Sequence, residues 1–229
     1  MAFLMKQTTL KRLSYLASRG RRGVATLPSN SHIKVFENNT IAGKYILSLL
    51  STEPPRFDLA VGTSDVIPPT PQSFQENSRF RKILDEVIVK YGSEDEFLKM
   101  QARAFVGSGG TNLAAAMQKT RYRGAASGRP NPTAEASHSH RVGGYIHLSD
   151  TRNPPEFGRI AWPEDILGSV EVNGEGEIIG RVQPSGTYRI LTNQGILGLS
   201  PFLMEKLVDQ LSSQESSGSN GEAEAGPRV

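Results

Sequence analysis

Residues 107–142 set the first limit on any fold this chain can adopt. Glycine, serine, alanine and asparagine predominate over that stretch, and hydrophobic clusters vanish. Such a segment cannot bury enough apolar surface to offset the entropy of ordering it. The core must therefore be drawn from the sequence on either side. Lys119, Arg121, Arg123, Arg129 and Arg141 stand against a single acid, Glu135, so the expected linker is basic as well as flexible.

Before it, the clearest signal is a helix over 80–91. Phe80, Ile83, Leu84, Val87, Ile88 and Tyr91 recur at helical spacing while Arg81, Lys82, Asp85, Glu86 and Lys90 face elsewhere. Gly92 stands where a left-handed cap belongs. A second helix is expected from Ser93 through 106, with acids in its first turn. Asn39-Thr40 reads as the cap of an earlier helix over 41–50, in which Ile41, Tyr45 and Leu49 share a face. Residues 57–61 are apolar enough for a short strand, and Pro68, Pro69 and Pro71 keep the following segment extended.

After the linker, alternation replaces helical spacing. A strand is expected over 145–148, then a hairpin from 168–172 through Asn173-Gly174-Glu175-Gly176 to 177–179. A second hairpin turns at Asn193-Gln194-Gly195, between 187–191 and 196–199. Ser200-Pro201 opens a helix with Leu203, Leu207 and Leu211 spaced by fours. The expected class is therefore α+β. An N-terminal helical hairpin occupies a mainly helical unit at 30–106, and the flexible linker spans 107–142. A small antiparallel β unit closed by a C-terminal helix fills 143–212, and the Ser-, Gly- and Glu-rich residues 213–229 form a disordered tail.

The first 24 residues hold Lys6, Lys11, Arg12, Arg19, Arg21 and Arg22 and no acid; the first acid is Glu37. Phe3, Leu10, Leu13 and Ala17 fall in one helical sector, and Lys11, Arg12 and Arg19 lie outside it. This pattern is that of a mitochondrial transit peptide, drawn inward by a negative matrix potential. The run Arg21-Arg22-Gly23-Val24-Ala25 resembles a matrix-processing site, with cleavage near Val24 or Ala25. Taking those six cations from the 26 Lys and Arg leaves 20 against 23 acidic side chains, so the remainder carries about −3. The basic isoelectric point belongs to the leader, and an argument for nucleic-acid binding cannot be built on it. No run approaches the ~18 apolar residues of a membrane-spanning helix.

Cysteine is absent, which removes disulfides, thiolate metal sites and cysteine nucleophiles from consideration. A GxSxG element is absent too. Gly107-Ser108-Gly109-Gly110-Thr111-Asn112 is glycine-rich like a phosphate cradle, but it lacks the lysine and the preceding strand of a nucleotide loop. His138, His140 and His147, with Asp150, could chelate a metal, because i and i+2 side chains share one face of an extended chain. The plainer reading is a solvated loop beside a strand. Lys119, Arg121, Tyr122, Arg123 and Arg129 could meet RNA phosphates, Tyr122 stacking on a base; the plainer reading is a solvated linker.

The densest segment is RNPPEFGRIAWPEDILGS, residues 152–169. Glu164 and Asp165 could serve as general acid and base, although acids beside Pro163 also suit the first turn of a short helix. Phe157, Arg159 and Trp162, with Glu164 and Asp165, read better as a partner-binding loop, since aromatic and arginine side chains dominate interaction hot spots.

Residues 157–170 (FGRIAWPEDILGSV), and 183–190 (QPSGTYRI) through Pro201-Phe202-Leu203, resemble an uncharacterised group of fungal mitochondrial proteins. The likeness covers residues 140–212 and extends to the proline segment near 65–74. It implies a fungal mitochondrial setting and brings no activity or cofactor with it. The expected function is a non-enzymatic matrix accessory or assembly factor that contacts a protein assembly and needs no cofactor. Two alternatives stand beside it. One is a metal-dependent or small-molecule enzyme using His138, His140, His147, Glu164 and Asp165. The other is an RNA- or ribosome-associated protein acting through residues 119–129.

Overall fold

The computed structural model describes residues 25–38, 41, 43–107, 143–156 and 159–223. Strands β1 (Ala25–Leu27), β2 (Asn30–Glu37), β3 (Tyr45–Ser48), β4 (Gly62–Ser64) and β5 (Phe74–Glu76) form one antiparallel sheet in chain order. Helices α1 (Ser78–Tyr91) and α2 (Glu96–Gly107) follow it. Beyond the linker region, β6 (Gly144–Ser149), β7 (Ile166–Val172) and β8 (Ile178–Pro184) make a three-stranded antiparallel sheet. A small ribbon, β9 (Leu191–Thr192) with β10 (Gly195–Ile196), leads into α3 (Pro201–Ala223). No helix among the described residues is long and apolar enough to cross a membrane.

The expected N-terminal helical hairpin is corrected. Between Ala25 and Glu76 the regular elements among the described residues are the five strands, and the two helices come after them. Where a helix was expected at 41–50 the chain forms strand β3, Tyr45–Ser48, in register between Val35 and Phe36 of β2 and Gly62 and Thr63 of β4. The reason is burial on both faces. Ile46, Leu47, Ser48, Leu49 and Leu50 are all buried, and a buried run that is apolar but for one serine imitates helical spacing as easily as it breaks alternation. Gly43, at φ +82°, turns the chain into it. Residues 57–61 form a turn, and the strand begins only at Gly62.

Helix α1 follows its sequence period: Phe80, Ile83, Leu84, Val87 and Ile88 are its buried residues. Its cap is Asn77, whose side-chain oxygen accepts from the Arg79 amide at 2.9 Å. The other end of the same amide donates to the carbonyls of Phe57, Asp58 and Ala60 at 2.9, 3.1 and 2.8 Å. One side chain therefore starts the helix and fixes the turn before β4. Gly92 is right-handed and not the expected left-handed cap. Its lack of a Cβ matters for another reason, since one built there would lie 2.8 Å from Val182 of β8. A 3-10 turn, Gly92–Glu94, then delivers Asp95, which caps α2 by accepting from Phe97 and Leu98 at 2.9 and 3.1 Å. Ser200 caps α3 through the Leu203 amide at 3.2 Å and donates its hydroxyl to the Asp95 carboxylate, joining the starts of two helices.

Both sides of the 107–142 segment contribute to one core. Leu27, Ile33 and Leu47 of the first sheet meet Phe80 and Leu84 of α1, Leu148 and Val170 of the second sheet, and Leu203, Leu207 and Leu211 of α3. Each such side chain contributes about 1.5–3 kcal/mol by leaving water. Helix α3 continues past Ser212 to Ala223, and Glu215 accepts from Thr52 at 2.8 Å and, through its carbonyl, from Arg56 at 3.3 Å.

Asn77→Asp keeps the cap acceptor and removes the three-carbonyl donor, whereas Asn77→Ala removes both. Both variants are expected to lose about 1–3 kcal/mol in urea unfolding. A wild-type midpoint for the aspartate variant would show that only the cap matters.

Candidate functional site

The connection from β6 to β7 is the most polar part of the interior. Asp150 directly follows β6, and its carboxylate is fully buried. One oxygen accepts from the Arg152 amide at 2.8 Å; the other accepts from the Tyr188 hydroxyl at 2.7 Å and the Gly198 amide at 3.0 Å. Arg152 turns its guanidinium inward, with 4% of the side chain exposed, onto Asp165, 1% exposed. Its Nε donates to Asp165 at 2.8 Å. Nη1 donates to the carbonyls of Ile190, 2.9 Å, and Gly195, 3.5 Å; Nη2 donates to those of Glu164, 2.9 Å, and Arg189, 2.8 Å. A guanidinium has five N–H donors, and all five are used within the fold. Asn153 completes the cluster by donating to Asp165 at 3.2 Å.

Buried charges survive only when paired and fully hydrogen-bonded, and among the described residues no buried side-chain polar atom lacks a partner. Two guanidiniums, those of Arg152 and Arg81, each stand 5.2 Å from the centre of the Tyr188 ring. Arg81 reaches from α1 to the carbonyls of Tyr188, 2.7 Å, and Ser185, 3.2 Å. Burial first, and the neighbouring Asp150 carboxylate second, hold the Tyr188 phenol well above its ordinary pKa. Gly198 must be glycine because a Cβ there would run into the Asp150 carboxylate and lie 2.7 Å from the Arg152 nitrogen.

Over this network lies an open groove of about 650 Å³. Trp162, Pro163 and Glu164 form one wall, and Gly186, Thr187, Tyr188 and Arg189 the other. The walls are tied at three points. Thr187 Oγ1 donates to the Pro163 carbonyl at 2.7 Å, the Arg189 amide donates to the Glu164 carbonyl at 3.1 Å, and Arg152 Nη2 bridges Glu164 and Arg189 from beneath. At the rim, Ala161 turns inward and is buried, while Ile160 and Trp162 stand 71% and 69% exposed.

The residues singled out in the sequence separate accordingly. Trp162 and Glu164 line the groove; Arg159 is exposed beside it, 3.8 Å from Glu156. Phe157 lies outside the described residues. Asp165 is not at the surface with Glu164. The 3-10 turn Pro163–Asp165 points one carboxylate to solvent and the other into the Arg152 network, so the two do not face each other as an acid–base pair. His147 shares a hydrogen bond of 2.8 Å with Ser169 across β6 and β7. His138 and His140 lie outside the described residues, and among those described no three His, Cys, Asp or Glu side chains could hold a metal ion together. Lys119, Arg121, Tyr122, Arg123 and Arg129 also lie outside the described residues.

Sequence reasoning missed Arg152, Tyr188 and Arg81. Their pairing spans up to 107 positions, and only the sequence Asp150-Thr151-Arg152-Asn153, polar directly after an apolar strand, hinted at a buried charge. No protein-family model, curated protein or solved structure matches the chain.

The raised Tyr188 pKa has a definite consequence. The fold favours the neutral phenol, so its stabilisation is present below the unfolded-state value of ~10 and is lost as pH rises above it. Tyr188→Phe is expected to lose about 1–3 kcal/mol at neutral pH by leaving Asp150 short of a donor. The gap from wild type should then narrow between pH 9 and 11 in urea titrations; parallel pH profiles would contradict the assignment.

Proposed function

We propose that this protein is a non-enzymatic accessory factor that docks another protein on the Ile160–Trp162 ridge and the groove beside it. The observation that carries the reading is a large aromatic and a β-branched aliphatic side chain standing in solvent beside backbone that is tied down at Trp162, Pro163 and Glu164. Exposing large apolar groups on a mobile loop is ordinary, but fixing Trp162 on a hydrogen-bonded frame lowers the entropy lost on binding. Tryptophan and arginine are the side chains that dominate protein interfaces, and Arg159 and Arg189 stand exposed around Trp162. Ile160 favours a protein surface over a planar ring as partner, because an aliphatic side chain offers packing area and no stacking face.

The place of action in this proposal is the mitochondrial matrix, in a fungal setting. The basic, acid-free leader and the mildly anionic remainder support it, as does the resemblance over residues 140–212. The partner is then a component of a matrix assembly.

A photo-crosslinking residue at position 164, on the groove wall, tests both parts in intact mitochondria. A discrete adduct is expected, lost in Trp162→Ala and Ile160→Ser, while the stability of these variants stays within about 0.5 kcal/mol of wild type. Adducts indifferent to both substitutions would overturn the docking surface, and recovery of the protein outside mitochondria would overturn the location.

A further inference from the structure

The backbone of the groove walls narrows what the groove can hold. On one wall the carbonyls of Trp162, Pro163 and Glu164 already accept, from the Asp165 amide at 2.8 Å, the Thr187 hydroxyl at 2.7 Å and the Arg189 amide at 3.1 Å. Pro163 has no N–H to offer. On the other wall the Thr187 amide donates to Ser185 Oγ at 3.2 Å, the Arg189 amide is the one spent on Glu164, and the carbonyls of Tyr188 and Arg189 accept from Arg81 and Arg152 at 2.7 and 2.8 Å. A partner strand needs a row of free N–H and C=O groups along an edge, and neither wall has one. A partner helix needs an apolar strip about two turns long. Beyond Trp162 and Pro163, the exposed walls are Glu164, Gly186, Thr187 and Arg189.

What the groove offers is side-chain chemistry. Trp162 presents an exposed indole, and among the described residues its N–H has no partner. Glu164 and Arg189 are exposed, one on each wall, and among the described residues neither lies within 4.0 Å of an opposite charge. A polyproline II segment matches these features. Its backbone makes no internal hydrogen bonds, so its carbonyls are free to accept the indole N–H, and its rings pack on an aromatic face. Its stiffness also spares ordering entropy on binding. Opposite charges on the two walls are complemented by a basic and an acidic side chain on the occupant.

On the docking role already proposed for this groove rests a narrower assignment. We propose that the segment seated there is a proline-bearing stretch of another protein in polyproline II conformation, with a basic and an acidic residue beside its prolines.

Trp162 is the only tryptophan in the chain, so its fluorescence reports the groove directly in the full-length protein. Two peptides of about ten residues, ~31 Å long as polyproline II, carry a proline-x-x-proline core with glutamate at one end and lysine at the other, the ends exchanged between them. Controls replace their prolines with alanine. Saturable emission changes are expected, the better proline peptide binding at least about tenfold more tightly than its alanine control, on the scale of the entropy a stiff ligand spares. Arg189→Glu should weaken that peptide about fivefold, the measure of one exposed ion pair, and changing the peptide's glutamate to lysine should restore binding to the variant. Alanine controls that bind as tightly, or no saturable change with any peptide, would overturn the assignment. So would an emission shift that depends on protein concentration without peptide, which would make a second copy of the chain the occupant. Sequencing the adduct formed at position 164 separates this assignment from the docking role. An adduct on a partner segment free of proline leaves the docking surface standing and removes the proline ligand, whereas the absence of any adduct removes both.

Discussion

Arg152 is the point on which the C-terminal half of the molecule depends. Its five donors reach the Asp165 side chain and the carbonyls of Glu164, Arg189, Ile190 and Gly195. Those carbonyls belong to segments with little regular secondary structure of their own, where the backbone must find hydrogen bonds elsewhere. A charged donor at the centre of several loops supplies them. The same charge has to be buried to do so, and Asp150, Asp165 and Tyr188 are the counterweights that make its burial tolerable.

The groove inherits its shape from this arrangement. Its two walls are loops, and loops are ordinarily the least ordered parts of a fold. Here they are cross-linked from beneath by a side chain that has no donor left for a ligand, and from the side by Thr187. Arg152 is thus a positioning residue, and the surfaces offered to a partner are Trp162, Ile160 and the exposed flank of residues 186–189. Tyr188, in contact with both Arg152 and Arg81, extends the connection to α1 and so ties the groove to the main core.

How much of this could be read in the sequence follows from how local each signal is. Helix α1 was legible because its five buried residues repeat within one element, and the hairpin at Asn173–Gly176 because that turn carries its own chemistry; the turn at Asn193-Gln194 was legible too, but its strands are only Leu191–Thr192 and Gly195–Ile196, not 187–191 and 196–199. Asn173, for instance, accepts from the Glu175 and Glu177 amides at 2.9 and 2.8 Å. The first sheet was illegible for the opposite reason. Strands β1, β4 and β5 are three residues each, too short for alternation to register, and β3 is buried on both faces. At the site, Trp162 was legible as an exposed aromatic among prolines, and Glu164 with it. Asp165 was not, because whether a carboxylate faces water or a guanidinium 13 residues away is a matter of tertiary placement. The Arg81–Tyr188 contact has no local signature at all.

The central claim is that Arg152 holds the two groove walls together, and amide hydrogen exchange in Arg152→Lys tests it most directly. Lysine keeps the buried charge but has three donors on one atom, so it cannot bridge both walls as a planar fork does. The account predicts that the Arg189 amide, which closes the walls onto Glu164, loses far more protection than the Leu84 and Ile88 amides of α1. Equal loss at all three, or an Arg189 amide as protected as in the wild type, would contradict it.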